Sequence, residues 1–489
     1  MNSKGLSSVG NGLSHQFLLV DRDCAISPPG IFISRDIDSW RLYSSPDLPV
    51  ISILNARGEI IGWLLGWASN DEQLITDKIV LDSEFSGSDQ SVIEARLYEL
   101  SGRWVAVILR ISEPKVYLDP LASLSLVYST SDKAIASTPE LLNATYSPLY
   151  SIDELLENDL WYPFGATAYL NVQRLLANHC LNLSGMFVTR HWPKASLPTG
   201  DWRQHIDDVV RLLQLQLISF ARDYPVRIGL TAGMDSRVML AIALASGATY
   251  QFWTREDTSY SAQTDVKVAM QLARDYQLTH KLLRADAVPK LSENELLEKL
   301  KNIGFSVGGS PLKSAAIIDS IQEVAVAFTG IGGEIARAYY LSDCRDKIPT
   351  LTVDSGLHRA GLPTNTRFRS LGKSYIQNLP YLTELQRWAL FYQENRVSAF
   401  GSVHRYAYQN GVIFVSPFSN RKIIETMFRL TLEEQQQNAF HLELINRQCP
   451  DLLQTPINPT SYTQKLKRRL IQIRNVFIAL FVNRRTNNR

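Results

Sequence analysis

The stretch from Val226 to Ala245 constrains this chain more than any other. It reads V-R-I-G-L-T-A-G-M-D-S-R-V-M-L-A-I-A-L-A: a short apolar segment, a cluster of small and hydroxyl residues, then a long apolar run. That order predicts a buried parallel strand, a tight loop, and a helix whose first N–H groups face the loop. Such a helix start attracts anions, because its unpaired N–H groups and its dipole both favour negative charge there. Gly233 lets the backbone approach a ligand, and Thr231 and Ser236 supply hydroxyls. Asp235 is the odd member. An acid belongs in an anion site only where a cation bridges it to the phosphates. The plain alternative is an ordinary strand-to-helix turn capped by Asp or Ser.

A second stretch repeats the pattern. Val324 to Phe328 is an apolar run that ends in Thr329-Gly330-Ile331-Gly332-Gly333-Glu334, a glycine-rich loop with one acid. Two carboxylates on neighbouring strand ends can hold a divalent cation between phosphates. Asp235 and Glu334 are therefore the expected metal ligands. Between the loops, Thr249 to Thr254 reads as another strand, whose carboxyl end would place Trp253 and Thr254 beside a ligand. Gly308-Gly309-Ser310-Pro311 suits a helix start and is a further candidate anion or carboxylate seat.

The first loop, T-A-G-M-D-S, resembles the S-G-G-x-D-S pyrophosphate loop of the N-type ATP pyrophosphatases, in particular the asparagine synthetase superfamily. The second resembles the S-G-E-G-x-D-E loop, which in that superfamily shares the first loop's magnesium. The resemblance implies ATP and Mg2+ as cofactors. It implies nucleotide contacts at Leu230, Thr231, Ala232, Gly233, Met234, Asp235 and Ser236, with Thr254, Thr329 and Gly330 opposite. Asp265 and His280 resemble the D/E-x-x-x-A-x-x-L-A…H element, with Asp265 near the nucleotide; an acid stabilising its own helix dipole is the alternative. Relatives place a lysine over the α-phosphate, and Lys465 or Lys467 is its expected counterpart. The catalytic set implied is Asp235, Glu334, Lys465 and Lys467.

The chain also departs from the pattern. Ala232 replaces a glycine, Glu334 an aspartate, and Ile335 an acid. Ile331 stands where relatives carry a Glu or Tyr that acts in the acceptor half-reaction. "VIFVSPFSN" (Val412 to Asn420) resembles R-V-P-F-L-D, but Ser419 and Asn420 replace its Leu-Asp. Arg337, one turn past Glu334, is expected to meet either a phosphate, a carboxylate or solvent.

The first 195 residues differ in texture. Beyond a loose start, short apolar runs at 31–33, 50–54, 60–67, 102–109, 116–118, 126–128 and 134–137 predict an antiparallel β-rich layer. Leu100 to Ile108 (LSGRWVAVI), Tyr117 to Ser129 (YLDPLASLSLVYS), Asn171 to Leu183 and Thr189 to Pro193 (TRHWP) resemble segments of the glutamine amidotransferase half of asparagine synthetases. The resemblance implies an Ntn-hydrolase-like β-sandwich. Glutaminases of that type use the thiol of an N-terminal Cys, and this chain begins Met1-Asn2-Ser3. The expected state is a glutaminase fold without glutaminase activity. Residues 193–200, with two prolines and a glycine, form the expected linker. The organisation expected is thus α+β followed by α/β: residues 1–195 amidotransferase-like, and residues 200–489 a parallel-sheet ATP pyrophosphatase domain with a basic C-terminal helix.

At 489 residues, with 45% apolar and 20% charged side chains, the chain should bury a large core in two domains. A net charge of +2 gives no general attraction to nucleic acid. The four cysteines are far apart and suggest neither a disulfide framework nor a zinc site. A cytoplasmic protein is expected. After Asp451 no acid occurs while Lys and Arg accumulate. This tail is either a solvated helix or a surface for anionic lipid or an acidic partner. The function implied is an ATP- and Mg2+-dependent amide ligase joining a small-molecule or peptide carboxylate to an amine or ammonia. The alternatives are an asparagine synthase fed by free ammonia, and a degenerate nucleotide-binding scaffold.

Overall fold

The computed structural model describes residues 13–80 and 90–459, apart from 258, 322, 346, 409 and 410. Lys465 and Lys467, the basic tail and Asn2 lie outside the described residues.

The second half is built on five parallel strands: β1 (Val226–Gly229), β2 (Gln251–Glu256), β3 (Thr279–Arg284), β4 (Ala325–Phe328) and β5 (Val412–Val415). Their spatial order is β3-β2-β1-β4-β5. The order of succession therefore reverses between β1 and β4, and a crevice opens there at the carboxyl ends of the strands. Helix α1 (Ile206–Asp223) leads into β1, α2 (Met234–Ala245) follows it, and α3 (Tyr260–Asp275) follows β2. β1 and β4 are short and almost wholly buried, as strands covered on both faces must be. Val238 to Ala243 of α2 are all buried. A helix apolar on every side is one enclosed by its neighbours. The expected strand ending at Thr254 continues to Glu256, and β3 was not expected as a strand. Residues 382–445 are helical around β5 and include a π-helix at Tyr392–Gly401. Helices α4 (Arg421–Phe428) and α5 (Ala439–Gln448) close this half.

The first half holds two antiparallel-rich sheets of six and eight strands. Side-chain alternation stitches them together. Val105 and Val107 join Phe17, Leu19 and Trp67 in the core between the sheets. Trp104, Ala106 and Ile108 face the other way, onto a second core under the helix Gln90–Glu99. The first strand, Phe17–Asp21, lies in the middle of the six-stranded sheet. Among the described residues, no helix is long and apolar enough to cross a membrane.

The halves share a buried polar seam. Arg190 holds Glu394, at the start of the π-helix, through two bonds of 2.5 and 2.9 Å. Glu394 also accepts from Asn178 Nδ2 and the Tyr375 hydroxyl, and it is fully buried. Arg421 of α4 donates to Asn178 Oδ1 at 2.8 Å. The expected linker is tied down too: Gln386 donates to the Leu197 carbonyl at 2.7 Å.

Candidate functional site

The site forms where β1 and β4 end. Thr231 and Ser236 clamp the first loop, with their hydroxyl oxygens 2.8 Å apart. The Gly233 N–H donates to Thr231 Oγ1 and the Ala232 N–H to Asp265 Oδ1. Leu230 offers its carbonyl to Thr254 Oγ1 at 2.6 Å, and Thr254 also meets His280 Nε2. With Thr231, Ala232 and Gly233 N–H groups engaged inside the protein, the donors left for an anion are at the start of α2, from Met234 to Ser236. Thr254 and Asp265 hold the loop from behind. Thr254 is 2% exposed, so its hydroxyl is a latch on the loop and does not flank a ligand.

Asp235 and Glu334 come together as the two loops predict, and what joins them is a guanidinium. Arg337 Nη2 lies 2.8 Å from Asp235 Oδ2 and 3.9 Å from Glu334 Oε1. The other Asp235 oxygen faces His441 Nε2 of α5 at 2.9 Å. Glu334 Oε2 accepts the Gly332 N–H at 3.0 Å. The approach is close enough that a side chain on Gly330 would put its Cβ 2.5 Å from Asp235 Cβ, and one on Gly333 would put it 2.5 Å from Asp235 Oδ1. Glycine is required at both positions for contact, not for turn geometry.

The two acids have opposite electrostatics. Burial works to raise the Asp235 carboxyl, but the His441 hydrogen bond and charge and the Arg337 charge outweigh it and hold the group below the ordinary carboxylate value. Burial, and then the negative charge of Asp235, pushes Glu334 up to about 7, with Arg337 pulling it back. The donor set suits a hard divalent cation in kind, being carboxylate oxygen from two converging loops. Arg337 occupies the position between those oxygens and would have to yield to the ion.

Several expected features stand elsewhere. Ser310 donates its N–H and hydroxyl to Asp159 Oδ1, so the candidate anion seat after Gly309 is filled by a carboxylate of the first half. Ser419 donates to Asp119, while Asn420 donates to Ser101 and caps α4. Both therefore stitch the halves and do not face an acceptor. Thr329 and Gly330 lie at the crevice beside Ile331. Cys24 follows the first strand and its N–H bonds the Asp21 carbonyl, a mid-chain position that gives it no free amine.

His441 carries no spacing signal in the sequence. It is one histidine on an amphipathic helix, and only packing of α5 against α2 brings it to Asp235. Its Nδ1 is buried without a hydrogen-bond partner among the described residues.

No protein family profile and no curated protein matches the chain. Among solved structures, NMN synthetase from Francisella tularensis is similar at 12% identity and a TM-score of 0.19, over 38% of this chain and 98% of that one. Glutamine-dependent NAD+ synthetase from Acinetobacter baumannii, in complex with ADP, is similar at 15% identity and a TM-score of 0.15, over 27% of each chain. Similarities at this level are too distant to identify a family.

Proposed function

We propose that this chain is an ATP-dependent carbon–nitrogen ligase of the asparagine synthetase type. It adenylates a substrate carboxylate and passes the acyl group to an amine or ammonia, releasing AMP and pyrophosphate. The observation that carries this reading is the meeting of Asp235 and Glu334, from two glycine loops, at the point where the strand order reverses. Neither loop alone makes a phosphate site with paired acids; the two together do.

In this reading a carboxylate oxygen attacks the α-phosphorus, the bond to the bridging oxygen breaks, and pyrophosphate departs. The N–H groups at the start of α2 and the Arg337 guanidinium stabilise the charge that develops on the leaving group. Mg2+, when bound, would be held by Asp235 and Glu334 and would supply further neutralisation of the phosphates. His441 and Gly333 fix the Asp235 carboxylate, so the loop meets the nucleotide already oriented. The amine nitrogen then adds to the acyl carbon and AMP leaves. Lys465 or Lys467 is proposed as the cation over the α-phosphate.

The first half is proposed to act without glutaminase activity: Cys24 follows the first strand with its backbone N–H bonded to the Asp21 carbonyl. The amine is then free ammonia or belongs to a substrate. Asparagine formation itself is disfavoured, because Ser419 and Asn420 are bonded into the first half.

The test is ATP–pyrophosphate exchange with Mg2+ across a panel of carboxylic acids, with Asp235→Ala as control and ATP binding read in the same samples. Exchange with one acid, lost in the variant, is the expected result. Absence of both exchange and ATP binding would overturn the ligase and leave a scaffold.

A further inference from the structure

An anion seat built from backbone needs its carbonyls turned away from the ligand. At the first loop each carbonyl from Leu230 to Gly233 has a partner. Leu230 accepts from Thr254, and Thr231 accepts from the Ser236 hydroxyl at 3.2 Å. Gly233 accepts from the Ser236 hydroxyl at 3.1 Å and from the Arg237 N–H at 3.3 Å. Those donors belong to the loop, its helix or the adjoining strand. The Ala232 carbonyl differs: it accepts the N–H of Asn458, from the far side of α5, at 2.8 Å.

The Ala232–Gly233 peptide is the part of the loop most free to turn, because glycine accepts a wide range of dihedral angles. Thr231 Oγ1 holds its N–H end and Asn458 holds its oxygen end. A half-turn of that peptide would break both bonds and aim a carbonyl oxygen at bound phosphates. Asn458 sits at φ 45°, a left-handed conformation that asparagine tolerates.

What fixes Asn458 in place is Arg237, in the first turn of α2. Its side chain is fully buried, and Nη1 donates to the carbonyls of Leu452 at 2.6 Å and Thr455 at 2.9 Å. Nη2 reaches the Pro456 carbonyl at 3.5 Å. Among the described residues Arg237 pairs with no acid, and its Nε is buried without a partner. A cation is costly there, since burial strips its hydration and the start of a helix disfavours positive charge. An apolar side chain would pack as well at lower cost. The planar fork is what an apolar residue lacks: it ties the end of the short helix Pro450–Gln454 to the chain that follows it.

We propose that Arg237 is a positioning residue for the anion seat. It buckles residues 452–458 to α2, and through the Asn458 N–H it keeps the Ala232 carbonyl out of the phosphate site. The inference rests on the ligase reading for its ligand, a nucleoside polyphosphate. It adds that a strap from beyond α5 completes the seat, so phosphate binding and the order of the strap are coupled.

The experiment has two arms, both on the full chain. In the first, calorimetry measures ADP and adenosine binding to the wild type, Arg237→Met and Arg237→Lys. Arg237→Met should weaken ADP binding about tenfold, the scale of one hydrogen bond to a charged group, and leave adenosine unchanged. Arg237→Lys, a donor without the fork, should fall in between. Equal losses for ADP and adenosine would assign Arg237 a structural role and overturn the proposal. Unchanged ADP binding in Arg237→Met would overturn it as well. The second arm uses the wild type alone, so it stands even where a variant does not fold. Amide hydrogen exchange is followed with and without inorganic pyrophosphate and Mg2+. Pyrophosphate should slow exchange across residues 452–458 and leave the strand Phe17–Asp21 unchanged. An unmoved strap, or equal slowing in both segments, overturns the proposal. ADP binding with an unmoved strap sinks this inference and spares the ligase; a wild type that binds neither ADP nor pyrophosphate sinks both.

Discussion

The two loops at the crevice follow the same plan, strand then glycines then one acid, yet they are held in different ways. The Asp235 loop is fastened at Leu230, Thr231, Ala232 and Gly233, by Thr254, Ser236 and Asp265. Its acid is gripped by His441 and Arg337 and stays ionised. The Glu334 loop passes through left-handed backbone at Gly332 and again at Ala338, and its acid has one backbone donor and a distant guanidinium. Its carboxyl titrates near neutrality. One loop is a fixed frame with a permanent charge. The other adjusts its charge to what arrives, and the ligase proposed above, which would accept and release a charged nucleotide, gains from having one of each.

The comparison breaks most completely at the fixed loop. Asp235→Ala should lower pyrophosphate exchange by at least about 100-fold, the scale on which a preorganised charge contributes to catalysis. Gly333→Ala comes next. Its Cβ would lie 2.5 Å from Asp235 Oδ1, so exchange should fall while the far-ultraviolet spectrum is kept. A fully active Gly333→Ala would show that the two loops are not in contact when the enzyme works.

Arg337→Gln should destabilise the protein by about 1–2 kcal/mol in denaturant titration, because it leaves two partly buried acids facing each other. Added Mg2+ should recover part of that loss in the variant and little in the wild type. Equal recovery in both would mean that Arg337 does not hold the ion's place.

The softer loop is read by pH. Glu334 sits at about 7 in the fold, against its ordinary 4.5, so the folded state keeps a proton that the unfolded chain releases. Its contribution is complete below about 4.5 and is lost as pH rises through about 7. Asp235 does the opposite: its contribution is present above the ordinary carboxylate range and is lost as pH falls through its lowered value. In metal-free buffer the melting temperature should therefore fall between about pH 4.5 and 7, and Glu334→Gln should flatten that slope. The smallest effect is Thr254→Val, which removes one latch on the fixed loop at a cost of about 1 kcal/mol, with exchange nearly unchanged.

Both loops could be read in advance because each is local. An apolar run, a glycine and an acid within a dozen residues announce a strand end, and the parallel sheet follows. β3 was not anticipated as a strand: it is a sheet edge, and Thr279-His280-Lys281 carries too little apolar character to announce one. His441 was hidden for another reason. It lies more than 200 residues from Asp235, and nothing short of the packed α2–α5 pair relates them. Arg337 lies between these cases: its spacing placed it one turn from Glu334, while its bond to Asp235 needed both loops folded. Ser419 and Asn420, read as departures from the Leu-Asp of the resemblance, serve the seam, and their partners lie about three hundred residues away.

That seam decides whether the molecule can be divided. Glu394 belongs to the second half, and its guanidinium partner, one of its amide partners and the hydroxyls around Asp119 span the cut. A gene encoding residues 200–489 alone would produce a protein in which Glu394 keeps the Tyr375 hydroxyl and loses the Arg190 guanidinium and the Asn178 amide. Shortening this chain to its second half is therefore closed as an engineering route, and the same barrier keeps the first half in place whatever chemistry it has of its own.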